Sequence, residues 1–104
     1  MRKLCILGST GSIGTQTVET IEAYGGFKVV SLAAKSSIDL LEKQIRRLKP
    51  EKVCVYDAER ASELKKNIAG LPVRVLTGME GLCELASDPE NDLVVTALVG
   101  MIGI

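Results

Sequence analysis

The stretch Leu4-Cys5-Ile6-Leu7-Gly8-Ser9-Thr10-Gly11-Ser12-Ile13-Gly14 decides the reading of this chain. Its first four residues are a short apolar run of the kind that forms a buried strand. Gly14, Thr17, Val18 and Ile21 then recur at spacing i, i+3, i+4, i+7, the period of an amphipathic helix. Three glycines spaced GxxGxxG lie between strand and helix. A strand, a glycine-rich turn and a helix in this order make a phosphate cradle, because the turn exposes backbone N–H groups and the helix N-terminus adds about half a positive charge. Gly8 lets the chain turn sharply out of the strand, and Gly11 lets a diphosphate approach the backbone without meeting a Cβ. Gly14 opens the stripe that faces the sheet and permits close helix–strand contact. A tight turn that binds nothing would use similar residues, and GxGxxG is the commoner spacing, so the flanking strand and helix carry the functional reading.

Alternation continues to the end of the chain. Lys28–Ala33 reads as a second strand. A helix follows with apolar positions Ile38, Leu41, Ile45 and Leu48, capped by Ser36 or Ser37 and ended by Pro50. Lys52–Tyr56 is a third strand, and Asp57 caps a helix carrying Ala61, Leu64 and Ile68, which Gly70 closes. Pro72–Leu76 reads as an edge strand, since a proline opens it. Thr77 with Glu80 resembles a capping box for a helix bearing Met79, Leu82, Cys83 and Ala86, broken at Asp88-Pro89 before a fifth strand, Leu93–Ala97. The fold class is α/β: a Rossmann-like, doubly wound parallel sheet of about five strands with helices on both faces. The first strand is expected at the centre, with the second, third and edge strands on one side and Leu93–Ala97 on the other. The cofactor crevice then opens at the switch point above the strand C-termini.

A length of 104 residues allows one compact domain. With 46% hydrophobic residues but only 3% aromatic, the core must be built from Val, Ile, Leu and Ala, as in buried parallel sheets. Thirteen basic and thirteen acidic residues cancel, so nucleic acid is not an expected partner. The charged clusters Lys43–Lys49 and Glu59–Lys66 read as solvated helix faces. The chain has no histidine, which excludes His-based acid–base catalysis and His-containing zinc sites within these residues. Cys5, Cys54 and Cys83 read as small core residues in a reducing compartment. No signal peptide and no membrane-length apolar run is found, so a cytoplasmic protein without a membrane partner is expected.

The second strand points to the nucleotide. NAD-binding domains place a carboxylate about twenty residues past the glycine motif, where it accepts hydrogen bonds from the adenosine ribose. Here that point falls at Ala34-Lys35-Ser36-Ser37, which holds no acid. An ammonium, two hydroxyls and a helix N-terminus suit a 2′-phosphate, which argues for NADP over NAD; a solvated lysine and a simple cap are the bland alternative. Asp39, the nearest acid, is expected in the first helical turn. Leu98–Ile104 reads either as a loop passing the nicotinamide half of the dinucleotide or as a glycine-rich strand exit. Its apolar end at Met101, Ile102 and Ile104 reads as that of a fragment.

Residues Leu4–Thr17 closely resemble the amino terminus of the 1-deoxy-D-xylulose 5-phosphate reductoisomerases. Phe27-Lys28-Val29-Val30 with Ala33-Ala34, the helix end from Gln44 to Pro50, and Ala97-Leu98-Val99-Gly100 extend the resemblance over all 104 residues. It implies that residues 1–104 are an NADPH-binding domain, with the catalytic and C-terminal domains absent. The family converts 1-deoxy-D-xylulose 5-phosphate to 2-C-methyl-D-erythritol 4-phosphate in the non-mevalonate route to isoprenoids. It uses NADPH and a divalent metal such as Mg or Mn. The resemblance implies cofactor contacts at Thr10, Gly11, Ser12 and Ile13, beside the turn residue Gly8, and at Lys35, Ser36 and Ser37. Serine stands here where the family usually has asparagine, and lysine where glycine is frequent. Metal ligands and substrate site are implied to lie beyond residue 104. No residue of this chain is therefore assigned to catalysis or metal binding, and the chain alone is expected to bind nucleotide without turnover. The full-length protein is implied to be a homodimer. The competing readings are a semialdehyde-dehydrogenase-like or atypical short-chain reductase domain, for which Tyr24 and Lys28 have the Tyr-xxx-Lys spacing, and a non-catalytic dinucleotide sensor.

Overall fold

The structure, a computed structural model, describes residues 2–96. Strands and helices alternate as β1 (Arg2–Leu7), α1 (Ser12–Tyr24), β2 (Phe27–Ala34), α2 (Ile38–Leu48), β3 (Lys52–Val55), α3 (Ala58–Asn67), β4 (Arg74–Thr77), α4 (Gly78–Ala86) and β5 (Leu93–Thr96). The sheet order is β4-β3-β2-β1-β5, with every neighbouring pair parallel. This is the expected order, with β1 central and β4 at an edge. β4 starts at Arg74 and leaves Pro72 outside, because a proline has no N–H to give a ladder. Ala97 and the expected loop Leu98–Ile104 lie outside the described residues.

The topology explains how the helices are distributed. Three successive crossovers step the same way from β1 to β4, and the fourth returns to β5. With one handedness of crossover, the first three helices cover one face and the returning helix the other. Leu4 and Ile6 of β1 pack with Val18 of α1, Leu41 and Ile45 of α2, and Ala61 and Leu64 of α3. Cys5 and Leu7 face the other way and pack with Leu82 and Leu85 of α4. Both faces of the central strands are therefore buried, which is why β1 and β2 read as apolar runs rather than alternating ones.

Three local expectations are corrected. The inward stripe of α4 is Gly81, Leu82 and Leu85, while Met79, Cys83 and Ala86 are exposed. A Cβ on Gly81 would lie 2.9 Å from both Cys54 Sγ and Leu76 Cβ, so a missing side chain, not an apolar one, marks the contact face. Cys83 is accordingly not a core residue. Cys5 and Cys54 are, and burial pushes both thiols up to about 11. The expected helix caps are realised only in part. Asp57 accepts hydrogen bonds from the Glu59 and Arg60 amides, as anticipated. Ser37 stands at the N-cap of α2 but at ψ 73, outside the extended region a capping serine uses, and its side chain makes no capping bond. Thr77 caps nothing either, because it is the last ladder residue of β4, paired with Val55, and the turn into α4 is made by Gly78 at φ 72.

At the N-terminal end of the sheet, Lys52 of β3 donates to the Asp88 carboxylate, and Lys3 N–H donates to Asp92. The Lys52 hydrogen bond, helped by the Glu90 amide, holds the Asp88 carboxyl below the usual carboxylate range.

Candidate functional site

At the opposite, C-terminal end of the sheet the chain leaves β1 through Gly8 at φ 87, a conformation that side chains resist. The Gly8 and Ser9 amides both donate to the Ala33 carbonyl, at 2.8 and 2.9 Å, which ties the turn to the end of β2. Gly11 N–H closes the turn on Gly8 O at 3.2 Å. The Gly11 carbonyl then accepts from both the amide and the hydroxyl of Thr15, at 2.8 and 2.7 Å, and α1 begins.

The three glycines have three different reasons. Gly14 cannot carry a side chain, since a Cβ there would sit 1.9 Å from Gly8 O and 2.7 Å from Ser9 Cα. Its close contact is with the turn itself, at the top of β1, rather than along the strand. Gly11 is the reverse case. Its φ of −77° suits any residue, and an added Cβ would meet nothing nearer than Gly8 O at 3.7 Å. Space in front of Gly11 is open, and neither packing nor backbone geometry demands a glycine there.

Electrostatics single out the same place. α2, α3 and α4 carry Asp39, Glu59 and Glu80 in their first turns, whereas α1 has no acidic residue there and no capping side chain. Among the described residues, no hydrogen-bond partner is found for the amides of Thr10, Ile13 and Gly14. The positive end of α1 is thus uncompensated, and Ile13 in its first turn is exposed.

Lys35, Ser36 and Ser37 lie next to this turn, exposed, at the end of β2. Ser36 and Ser37 line a polar cleft of about 480 Å³ together with Asp39 of α2 and Arg60 and Glu63 of α3. Lys35 stands beside this cleft rather than in its lining. Arg60 donates to Glu63 at 3.0 Å. Its place in the cleft was hidden in a run of charges that reads as plain surface. The structure therefore joins the turn to the end of β2 through the Ala33 carbonyl, with Lys35, Ser36 and Ser37 following in sequence, while the cleft that Ser36 and Ser37 line lies between α2 and α3 and holds no residue of the glycine turn.

One participant escapes the sequence reading. Gln44 is buried on the inward face of α2, and its Nε2 donates to the Ser9 carbonyl at 2.8 Å. The signal for it is a polar residue three positions after Leu41 and beside Ile45, inside an otherwise apolar stripe. Tyr24, by contrast, is 85% exposed at the far end of α1, away from the crevice, so its spacing to Lys28 carries no chemistry at this site. Among the described residues no three Asp, Glu or Cys side chains converge on a possible metal position.

The family model described as 1-deoxy-D-xylulose 5-phosphate reductoisomerase matches residues 4–104 of this chain. The chain belongs to the 1-deoxy-D-xylulose 5-phosphate reductoisomerase family. A reductoisomerase of Lachnoclostridium phytofermentans is 54% identical over 104 residues, and one of Agathobacter rectalis is 46% identical; this chain is matched in full and spans 27% of each. Among solved structures, a reductoisomerase in complex with NADPH, fosmidomycin and magnesium superposes with a TM-score of 0.91 at 36% identity, over 96% of this chain and 25% of that one. The Zymomonas mobilis enzyme in complex with NADPH gives a TM-score of 0.88 at 29% identity, over 95% of this chain and 26% of that one. The chain thus corresponds to about a quarter of the length of these reductoisomerases. Family membership sets aside the semialdehyde-dehydrogenase-like, short-chain reductase and sensor readings.

Proposed function

We propose that residues 1–104 form the NADPH-binding domain of a 1-deoxy-D-xylulose 5-phosphate reductoisomerase. The observation that carries this reading is the uncompensated N-terminus of α1, with free amides and open space at Gly11. Matching structures of the family contain NADPH. In this reading the diphosphate rests on the amides of Thr10, Ser12 and Ile13 and lies close over Gly11, whose own N–H is held by Gly8 O, so that helix charge and N–H donors act together. Gly8 sets the turn, and the Ile13 side chain gives an apolar contact to the dinucleotide. The adenosine 2′-phosphate lies on Lys35, Ser36 and Ser37, whose hydroxyls are not consumed by capping, and Arg60 faces it from α3. Bound NADPH supplies the hydride for reduction. The residues of this chain bind and orient it, while catalysis and the divalent metal, Mg or Mn, belong to parts of the protein outside these residues.

The full-length enzyme acts on 1-deoxy-D-xylulose 5-phosphate to give 2-C-methyl-D-erythritol 4-phosphate, as a cytoplasmic homodimer. No helix among the described residues is long and apolar enough to cross a membrane.

Titration calorimetry of NADPH and NADH on the chain tests the reading. NADPH binds at least tenfold more tightly, the scale of one or two charge-assisted contacts, roughly 1.5–3 kcal/mol each before solvent screening. Replacing Lys35 or Arg60 with alanine narrows the ratio by about three- to tenfold each. Equal affinities for the two coenzymes in the wild type would remove the 2′-phosphate assignment, and no binding of either would remove the function.

A further inference from the structure

Gln44 is the only polar residue among the buried positions of α2, which are otherwise Ile38, Leu41 and Ile45. Burying an amide costs free energy unless it does something specific. Its Nε2 reaches across 35 positions of sequence to the Ser9 carbonyl, at 2.8 Å. Ser9 is itself fully buried, and its own N–H is already taken by Ala33 O at 2.9 Å. The Ser9 residue is thus held from both sides of its backbone.

What that achieves follows from peptide geometry. The Ser9 carbonyl and the Thr10 N–H belong to one planar trans unit and point in opposite directions. Fixing the carbonyl inward, onto Gln44, fixes the Thr10 N–H outward. Among the described residues that amide has no partner. We infer that Gln44 is a positioning residue for dinucleotide binding: it locks the Ser9–Thr10 peptide so that Thr10 N–H points into the diphosphate cradle. Without the bond, the buried carbonyl must find another donor, and rotating the peptide to do so withdraws the amide. The binding-competent turn becomes a fraction of the population, and apparent affinity falls by that fraction. Gln44 lies on the helix whose first residues follow Ser36 and Ser37, so one rigid element references both anion positions.

This inference rests on the proposed NADPH site, and two ligands separate the two ideas. Gln44→Met keeps the volume and removes the donor. NADPH and adenosine 2′-phosphate, which lacks the diphosphate, are titrated on the wild-type and variant chains. The expected result is an NADPH dissociation constant raised about tenfold, the weight of one ordered hydrogen bond, with adenosine 2′-phosphate changed less than about twofold. A general loosening of the domain would weaken both ligands together, and that outcome overturns the assignment. So does an NADPH affinity that the substitution leaves untouched. A wild type that binds adenosine 2′-phosphate but not NADPH refutes the diphosphate cradle itself, and with it the role given to Gln44. If Gln44→Met does not fold, Gln44→Asn carries the same test, because its amide is one methylene short of Ser9.

Discussion

One added methyl group at two neighbouring glycines should have opposite consequences. In Gly14→Ala the new Cβ falls 1.9 Å from Gly8 O and 2.7 Å from Ser9 Cα, where ordinary contact begins at 3.4 Å. Both obstacles are backbone, and Gly8 cannot yield easily, because its amide is bonded to Ala33 O at 2.8 Å. Overpacking of this kind costs about 3 kcal/mol, at the upper end of the usual range, and alanine returns about 1 kcal/mol of helix propensity. A net loss of about 2 kcal/mol lowers the melting temperature by roughly 10 °C in a domain of this size. Gly11→Ala meets only Gly8 O, at the ordinary distance of 3.7 Å, and keeps a φ of −77° that alanine accepts. A poorer N-cap residue and a less flexible unfolded chain nearly cancel there, leaving stability within about 1 kcal/mol of wild type. NADPH affinity, however, falls by tenfold or more, because the Cβ occupies the approach to the amides. Far-ultraviolet circular dichroism melts and calorimetric titrations on both variants make the comparison. If Gly14→Ala melts like the wild type, the close approach of α1 to the turn is wrong. If Gly11→Ala binds NADPH normally, the open space is not where the dinucleotide lies.

Two further expectations concern the rest of the domain. Thiol labelling at about pH 8 should modify the exposed Cys83 quickly, while Cys5 and Cys54, buried and pushed up to about 11, react only after unfolding; rapid labelling of all three would contradict the packing of β1 and β3. The lowered Asp88 carboxyl contributes stability that is present above the ordinary carboxylate value, about 3.9, and is lost as pH falls through its folded-state value. Asp88→Asn should therefore lower stability at neutral pH and shrink its decline in acid, and an unchanged acid limb in urea titrations would show that the Lys52 pair does not act.

The architecture was legible because its signals are local and periodic. Apolar runs at Leu4–Leu7 and Lys28–Ala33, the stripe Ile38, Leu41, Ile45, and the stops at Pro50 and Asp88-Pro89 define the elements, and the handedness of crossovers then orders the strands. The glycine turn was legible for the same reason. What stayed hidden depends on approach between distant segments. Gly81 marks the contact face of α4 by lacking a side chain, so counting apolar residues selected Met79 and Cys83 instead. Gln44 looks like a polar interruption until Ser9 is placed against it. Ser37 and Thr77 have the composition of caps, but Ser37 lies outside the extended region and Thr77 ends the β4 ladder before the left-handed Gly78, which no pattern of residue types reveals. Arg60 joins the cleft lined by Ser36 and Ser37 only once α3 is set beside the start of α2.

The bare amino end of α1 has a consequence for abundance as well as for binding. A serine or aspartate at position 11 would strengthen the free domain by closing off that terminus, and would exclude the coenzyme in doing so. On the proposed coenzyme site, the free polypeptide is held below the robustness its fold allows, and saturating coenzyme would restore it, by about 2.7 kcal/mol at a hundredfold excess over the dissociation constant. How long such a protein survives in a cell would then depend on the supply of reduced nicotinamide nucleotide, which would fasten the fold it also serves.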